Sequence, residues 1–149
     1  MTRTPVDSRM ELSDALDFIR DKRNGILIAI KSDGRPQSSN ISFAVGDDDV
    51  IRISVTDGRA KTANLRRDPR ASLHVNRDDF WAYAVIEADV TMLPTAESPD
   101  DPTVDALVEY YRAVAGEHDD WDEYRRAMVD DRRLLLELRP THAYGMLGS

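Results

Sequence analysis

The chain has 149 residues, no cysteine and a formal net charge of -8. Its length suits one domain with a buried core, so we expect residues 1–149 to form a single domain. The absence of cysteine excludes disulfides, thiolate metal sites and a cysteine nucleophile. No stretch approaches the length of a membrane span, and the polar segment Met1–Glu11 lacks the apolar core of a signal peptide, which predicts a cytoplasmic protein.

Apolar periodicity predicts six strands and four helices. The strands are expected at Ile26–Lys31, Pro36–Val45, Val50–Thr56, Arg70–Asn76, Phe80–Met92 and Arg132–Leu138. The helices are expected at Glu11–Arg23, Ala60–Arg67, Thr103–Ala115 and Trp121–Asp130. Short polar turns between the early strands indicate hairpins and antiparallel pairing. These elements predict a mainly β fold with helices, a small β-barrel, and exclude a doubly wound sheet.

A basic segment interrupts this acidic chain between Asp57 and Arg70. It sets five cations against one interior Asp68, and these are Arg59, Lys61, Arg66, Arg67 and Arg70. Pro69 disfavours helical geometry at Asp68, which limits the helix to about residues 60–67. The first helical turn then presents Arg59, Lys61 and Thr62 beside unpaired backbone N–H groups, which favour an anion. A short basic segment in an acidic chain is better suited to bind one small anion than to bind a nucleic acid. The alternative is an ordinary solvated face with surface ion pairs.

A polar run follows the turn at Gly34. Gln37, Ser38, Ser39 and Asn40 place amide and hydroxyl groups along a strand, where they can hydrogen-bond a flat heterocycle. The alternative is a solvated sheet face. Together with the basic segment, this run predicts a ligand with a ring at one end and a phosphate at the other.

Common catalytic motifs are absent from the sequence. There is no GxSxG, GxGxxG, GxxxxGK[ST] or HExxH pattern. His74, His118 and His142 are far apart and lack neighbouring ligands, so no metal site is expected. The paired carboxylates stand near helix ends, where capping explains them. An enzyme with this composition needs an organic cofactor.

Nearly the whole chain resembles the flavin and deazaflavin split-barrel proteins related to pyridoxamine 5'-phosphate oxidase. The segments that carry the resemblance are Gly25-Ile26-Leu27, Asp33-Gly34-Arg35-Pro36-Gln37 with Ser39-Asn40, Arg59-Ala60-Lys61-Thr62 with Asn64-Leu65-Arg66-Arg67-Asp68-Pro69-Arg70-Ala71, and Trp81-Ala82-Tyr83. The C-terminal segments that resemble the actinobacterial branch binding coenzyme F420 are Val104-Asp105-Ala106-Leu107, Ala115-Gly116-Glu117-His118, Asp120-Trp121 and Arg132-Arg133.

This resemblance implies a six-stranded antiparallel split β-barrel of the FMN-binding type, present as a homodimer with cofactor sites at the subunit interface. Phosphate binding is implied for Arg59, Lys61 and Thr62, and the ring would lie against the strands that hold Gln37–Asn40 and Ser54–Thr56. The full set of implied cofactor-binding residues is Gln37, Ser38, Ser39, Asn40, Ser54, Val55, Thr56, Arg59, Ala60, Lys61, Thr62 and Asn64, with Trp81 and Tyr83 contributed by the partner.

The implied activity is hydride transfer from reduced F420 to an electron-poor double bond or quinone-like small molecule, with no nucleic-acid or membrane partner. Tyr83 and His142 are candidate proton donors. Two alternatives stay open: an FMN-dependent enzyme like pyridoxamine 5'-phosphate oxidase, and a non-catalytic F420 carrier. A pyridoxal phosphate substrate would need a second phosphate cluster, for which the only candidates are Arg125, Arg126, Arg132 and Arg133, expected at helix and strand ends.

Overall fold

The computed structural model describes residues 9–148, so the first eight residues of the polar N-terminal segment lie outside it. The strands within this range are β1 (Arg9–Met10), β2 (Asn24–Ile30), β3 (Pro36–Ser42), β4 (Ala44–Val45), β5 (Ile51–Thr56), β6 (Arg70–Asn76), β7 (Tyr83–Met92) and β8 (Arg133–Met146). The helices are α1 (Leu12–Ile19), α2 (Ala60–Arg67), α3 (Pro102–Ala115) and α4 (Trp121–Asp130). The six longer strands correspond to the six predicted ones, β1 is additional, and β4 is the separate end of the predicted strand Pro36–Val45.

The strands form one antiparallel sheet that curls into a barrel. Its hydrogen-bonded order is β3-β2-β6-β7-β8-β5-β4, and β1 also pairs with β8. The two ends of this order, β3 and β4, are separated in the chain only by Phe43. Phe43 is fully buried, and its N–H donates to the carbonyl of Arg23 at 2.8 Å. The predicted strand Pro36–Val45 is therefore split, because its two parts pair with different neighbours.

Strand β8 is 14 residues long and extends well past the predicted end at Leu138. It continues through Pro140 because the β7–β8 register shifts between Glu87 and Ala88. The register pairs Glu87 with His142 and Ala88 with Pro140, so Thr141 is the extra residue, and a strand tolerates proline at such an irregularity. The extension places His142 on the sheet.

Two other predicted boundaries differ from the structure. Helix α1 ends at Ile19 rather than Arg23, because the N–H of Lys22 donates to the Ile19 carbonyl at 2.9 Å in a closing turn. Strand β7 begins at Tyr83 rather than Phe80, because the preceding residues form a turn in which Phe80 adopts a φ of 72°.

Helices α3 and α4 pack over the outer face of β8. Leu134 and Leu136 point into the barrel core, so Leu135 between them projects outward and joins the helical core. Asp101 caps α3 by accepting from the Val104 N–H at 2.9 Å, and Asp120 caps α4 in the same way. No helix among residues 9–148 is long and apolar enough to cross a membrane.

Candidate functional site

A pocket of about 440 Å³ opens where β3, β5, the start of α2 and the α3–α4 pair meet. It brings together six of the predicted site residues, namely Asn40, Ser54, Val55, Thr56, Arg59 and Lys61. Its other walls include four residues that were not predicted from the sequence as site residues, namely Tyr110, Tyr111, Tyr124 and Met128, together with Arg133, which was a candidate only for a second phosphate cluster. We refer to this space as the cationic pocket, for the three basic residues in its lining.

The start of α2 is held by a buried hydroxyl. Thr62 is fully buried, and its Oγ1 donates to the carbonyl of Thr56 at 2.8 Å, the last residue of β5. This bond sets where α2 begins relative to the sheet and places Lys61 at the pocket. Thr62 does not itself line the pocket, and Ala60 is exposed on the helix surface.

The three cations of the pocket lack carboxylate partners. Among residues 9–148, no carboxylate lies within 4.0 Å of the charged nitrogens of Arg59, Lys61 or Arg133. Burial lowers the pKa of Lys61, and the nearby charges of Arg59 and Arg133 lower it further. The like charges oppose one another, so a bound anion would relieve their repulsion.

The other cations of the basic segment already have hydrogen-bond or ion-pair partners. The five cations that are close together in the sequence therefore form two groups in the structure. Arg66 binds the Asp57 carboxylate at 2.5 Å, and Arg70 binds Asp68 at 2.8 Å. Arg67 donates to the side chain of Asn64 at 3.2 Å and to the carbonyl of Ile30. The anion-binding prediction therefore applies to Arg59 and Lys61, and the surface ion-pair interpretation applies to Arg66 and Arg70.

Arg133 completes the set of cations from a distant part of the chain. It is the first residue of β8 and pairs directly with Thr56 in the β5–β8 register, so the two side chains share a face. Its Nε is buried and has no hydrogen-bond partner among the described residues. Leaving such a donor unpaired costs about 1–3 kcal/mol, so the position favours a bound acceptor. The β5–β8 pairing is what places Arg133 at the pocket, and this pairing joins residues that are far apart in the chain.

Tyrosines from the helices form the opposite wall. The hydroxyl of Tyr110 donates to the Ser42 carbonyl at 2.7 Å and ties α3 to the end of β3. The hydroxyl of Tyr124 donates to the Leu107 carbonyl at 2.9 Å, and burial raises its pKa to about 12. Burial also raises the pKa of Tyr110. Both phenols therefore stay protonated and act as fixed walls.

The polar run on β3 is divided between two faces, because side chains alternate along a strand. Ser38 and Asn40 are exposed on the outer face. Gln37 and Ser39 lie on the other face, where Gln37 donates to Ser39 at 2.9 Å and accepts from Asn64 at 3.4 Å. Only Asn40 of the run lines the cationic pocket. Cofactor contacts by Gln37, Ser38, Ser39 and Asn64 stay predictions.

A second pocket of about 610 Å³ adjoins the first and shares Asn40, Ile41 and Ser42 with it. Phe80 lines this second pocket, and the next residue in the chain, Trp81, is 75% exposed. The ring of Tyr83 stacks on His74 with centroids 5.1 Å apart. His142 lies on β8 near Tyr144, at a ring-centroid distance of 6.4 Å. Trp81, Tyr83 and His142 do not line the cationic pocket.

Solved structures with the same fold have several functions. A protein named F420 reductase has a TM-score of 0.66 and 22% identity, over 86% of this chain and 94% of that one. A conserved hypothetical protein from Mycobacterium tuberculosis has a TM-score of 0.70 and 23% identity, over 98% and 90%. A heme storage protein from Vibrio cholerae has a TM-score of 0.67 and 14% identity, over 92% and 96%. At these identities the likeness shows the fold.

A family model provides the assignment that the structural likenesses do not. The model described as pyridoxamine 5'-phosphate oxidase matches residues 13–147, from the second residue of α1 to just past the end of β8. The match includes every residue that lines the cationic pocket. The chain therefore belongs to the pyridoxamine 5'-phosphate oxidase family.

Proposed function

We propose that this protein is an F420-dependent reductase that holds the phosphate of the cofactor in the cationic pocket and reduces an electron-poor small molecule. The supporting observation is the cationic pocket itself, where Arg59, Lys61 and Arg133 have no carboxylate partner among the described residues, beside the end of β5 and the start of β8. The family assignment supports a flavin-type oxidoreductase as the wider class.

The residues present fit an anionic group. Lys61 and Arg59 offer positive charge from the α2 side, and the unpartnered Nε of Arg133 offers a directed donor from the β8 side. Hydrogen bonds that involve a charged group are worth about 1.5–3 kcal/mol each. Asn40 on β3 and Ser54 on β5 add neutral polar groups to the pocket lining, where a ring could be hydrogen-bonded.

The choice of F420 rests on the C-terminal half of the chain. The segments that resemble the F420-binding branch lie in the first half and at the last residue of α3, in the α3–α4 connection, at the first residue of α4 and at the first residue of β8. Those elements supply Tyr110, Tyr111 and Arg133 to the pocket. The structural likeness to a protein named F420 reductase is consistent with this choice.

Reduced F420, when bound, supplies the hydride. The chain contributes binding and orientation: the Thr62–Thr56 bond holds the start of α2 in place, and the tyrosine wall limits access of water to one side of the pocket. Tyr110 and Tyr124 already donate to backbone carbonyls, so their hydroxyls do not serve as proton donors. Tyr83 and His142 stay the candidates for that role.

Parallel titrations of the purified protein with F420 and FMN test the proposal. We expect F420 to bind at micromolar affinity or tighter and FMN to bind more weakly, measured by absorbance and fluorescence. Equal or tighter binding of FMN would support the FMN-dependent alternative instead. Tight F420 binding with no oxidation of the reduced cofactor by a range of quinones and activated alkenes would favour a carrier.

We also propose a homodimer in which Trp81 completes the site of the partner. Phe80 and Trp81 are 78% and 75% exposed, and Phe80 sits in the left-handed region that bulky residues rarely adopt. Two adjacent exposed aromatic side chains suit an interface, where such residues bury much area.

Mixed dimers distinguish shared sites from independent ones. With Lys61→Ala in one chain and Trp81→Ala in the other, sharing produces one intact site and one doubly damaged site. We therefore expect one full-affinity site per dimer by titration. Two equally weakened sites would show that each subunit builds its own. Placing both substitutions in one chain is the matched control, because sharing then predicts two weakened sites.

A further inference from the structure

Asp57 joins the parts of the chain that surround the cationic pocket. Its carboxylate accepts hydrogen bonds from Arg66 at 2.5 Å, Thr95 at 3.0 Å and Arg132 at 3.1 Å. Its backbone N–H donates to the Arg132 carbonyl at 2.9 Å. The hydrogen bonds from Arg66, Arg132 and Thr95 lower the pKa of Asp57 to about 2, so the carboxylate is ionised at neutral pH.

Each partner belongs to a segment that contributes to the pocket. Asp57 itself lies between β5 and α2, two residues before Arg59. Arg132 lies in the turn between α4 and β8, directly before Arg133. Thr95 lies in the connection that leads to α3, and the neighbouring Ala96 N–H donates to the Arg133 carbonyl at 2.8 Å.

The Asp57 carboxylate forms ion pairs with some of the nearby cations and not with others. Arg66 and Arg132 are paired with Asp57, whereas Arg59, Lys61 and Arg133 have no carboxylate partner within residues 9–148. Arg132 adopts a φ of 53°, an uncommon conformation for a residue other than glycine. The Asp57 contacts oppose release of that turn, and with it movement of Arg133.

We propose that Asp57 is a positioning residue that sets the spacing between Arg59 and Lys61 on one side of the pocket and Arg133 on the other. This spacing selects an anion that binds both sides at once, namely a phosphoryl group with at least two negative charges. The inference rests on the anion-binding part of the proposed function and not on the identity of the cofactor ring.

The substitution Asp57→Asn separates positioning from simple electrostatics, because the two predict opposite signs. Loss of one negative charge makes the region more positive, which by itself tightens anion binding. Loss of the anchored geometry weakens it. Using inorganic pyrophosphate as the probe and calorimetry as the measurement, we expect binding about tenfold weaker than wild type, the size of one lost charged hydrogen bond.

Asp68→Asn is the matched control. It makes the same charge change in the same basic segment and removes the Arg70 ion pair, but Asp68 follows the far end of α2 and does not line the pocket. We expect pyrophosphate binding to be unchanged or slightly tighter in this variant.

Two further variants separate the effect of charge from the effect of geometry. Asp57→Asn combined with Arg132→Gln restores the wild-type net charge, so electrostatics alone predicts wild-type affinity and positioning predicts weak binding. Thr95→Val changes no charge and covers the case in which Asp57→Asn does not fold. We expect it to weaken pyrophosphate binding about threefold, less than Asp57→Asn does, because it removes only one of the three side-chain hydrogen bonds to the Asp57 carboxylate. Thermal unfolding followed by circular dichroism reports folding of each variant.

The outcomes separate this inference from the proposed function. If wild-type protein does not bind pyrophosphate, the anion site itself is wrong, and the positioning role is overturned with it. If wild type binds and a folded Asp57→Asn variant binds equally or more tightly, only the positioning role is overturned.

Discussion

Replacement of Lys61 by methionine is expected to weaken F420 binding by about one to two decades, because a charge-assisted contact to phosphate is worth about 1.5–3 kcal/mol. Methionine keeps much of the apolar stem and removes the charge. Fluorescence titration measures the effect, and added salt should weaken wild-type binding as well. Arg70→Met is the matched control, since Arg70 is paired with Asp68 outside the pocket. An unchanged dissociation constant for Lys61→Met would show that Lys61 lies on a solvated face.

The same substitution has an opposite expected effect on stability. The pKa of Lys61 is lowered from 10.5 in the folded state, so its charged form is less favourable there than in the unfolded chain. Below its folded pKa this charge opposes folding, and the cost disappears as pH rises through the window up to the unfolded pKa. Lys61→Met should therefore be at least as stable as wild type at neutral pH. It should also lose the stabilisation that pyrophosphate gives to wild type. A drop in the unfolding temperature of the ligand-free variant would contradict this account.

Replacement of Gly145 by alanine is expected to lower the free energy of unfolding by about 3 kcal/mol or more. Gly145 has a φ of 145°, and a Cβ atom there would lie 2.4 Å from the Tyr83 carbonyl oxygen and 3.0 Å from Ala84 Cα. Both contacts are with backbone in the paired strand β7, so no side-chain rotation relieves them. Chemical denaturation measures the loss.

Gly116→Ala is the control for this prediction. Gly116 has a φ of 84° and a ψ of -156°, a backbone region almost restricted to glycine, and a Cβ there would meet nothing within 4 Å, so only the backbone conformation is penalised, by about 1–3 kcal/mol. Equal losses in the two variants would mean that β7 and β8 shift apart without further cost. In that case the close approach at Tyr83 is not a constraint on the fold.

The boundaries of α2 and α4 are predicted from sequence and confirmed by the structure. Both depend on neighbours in the chain. Pro69 disfavours helical geometry at Asp68, and Asp120 caps the first turn of α4 through the Glu123 N–H at 3.1 Å. Such signals act over three or four residues, which is the range that a single sequence displays directly.

The second half of β8 is not predicted, and the reason lies in its partner strand. Arg139-Pro140-Thr141 has the composition of a chain break. The break does not occur because the β7–β8 register shifts opposite Glu87 and Ala88, about 50 positions earlier in the chain, and accommodates the proline. Pairing between residues so far apart in the chain produces no pattern in the local sequence around Pro140.

Residue type and short-range periodicity are enough to predict the basic segment, the helix that carries it and the β-rich character of the chain. The fold is needed to show which cations have no carboxylate partner among residues 9–148. Asp57 pairs with Arg66 and Arg132, and the β5–β8 register brings Arg133 to the side of Thr56. A sequence shows how many charged side chains a segment has, but not which of them form ion pairs. Which charges are cancelled and which face a pocket depends on distances between residues that are far apart in the chain, and folding alone sets those distances.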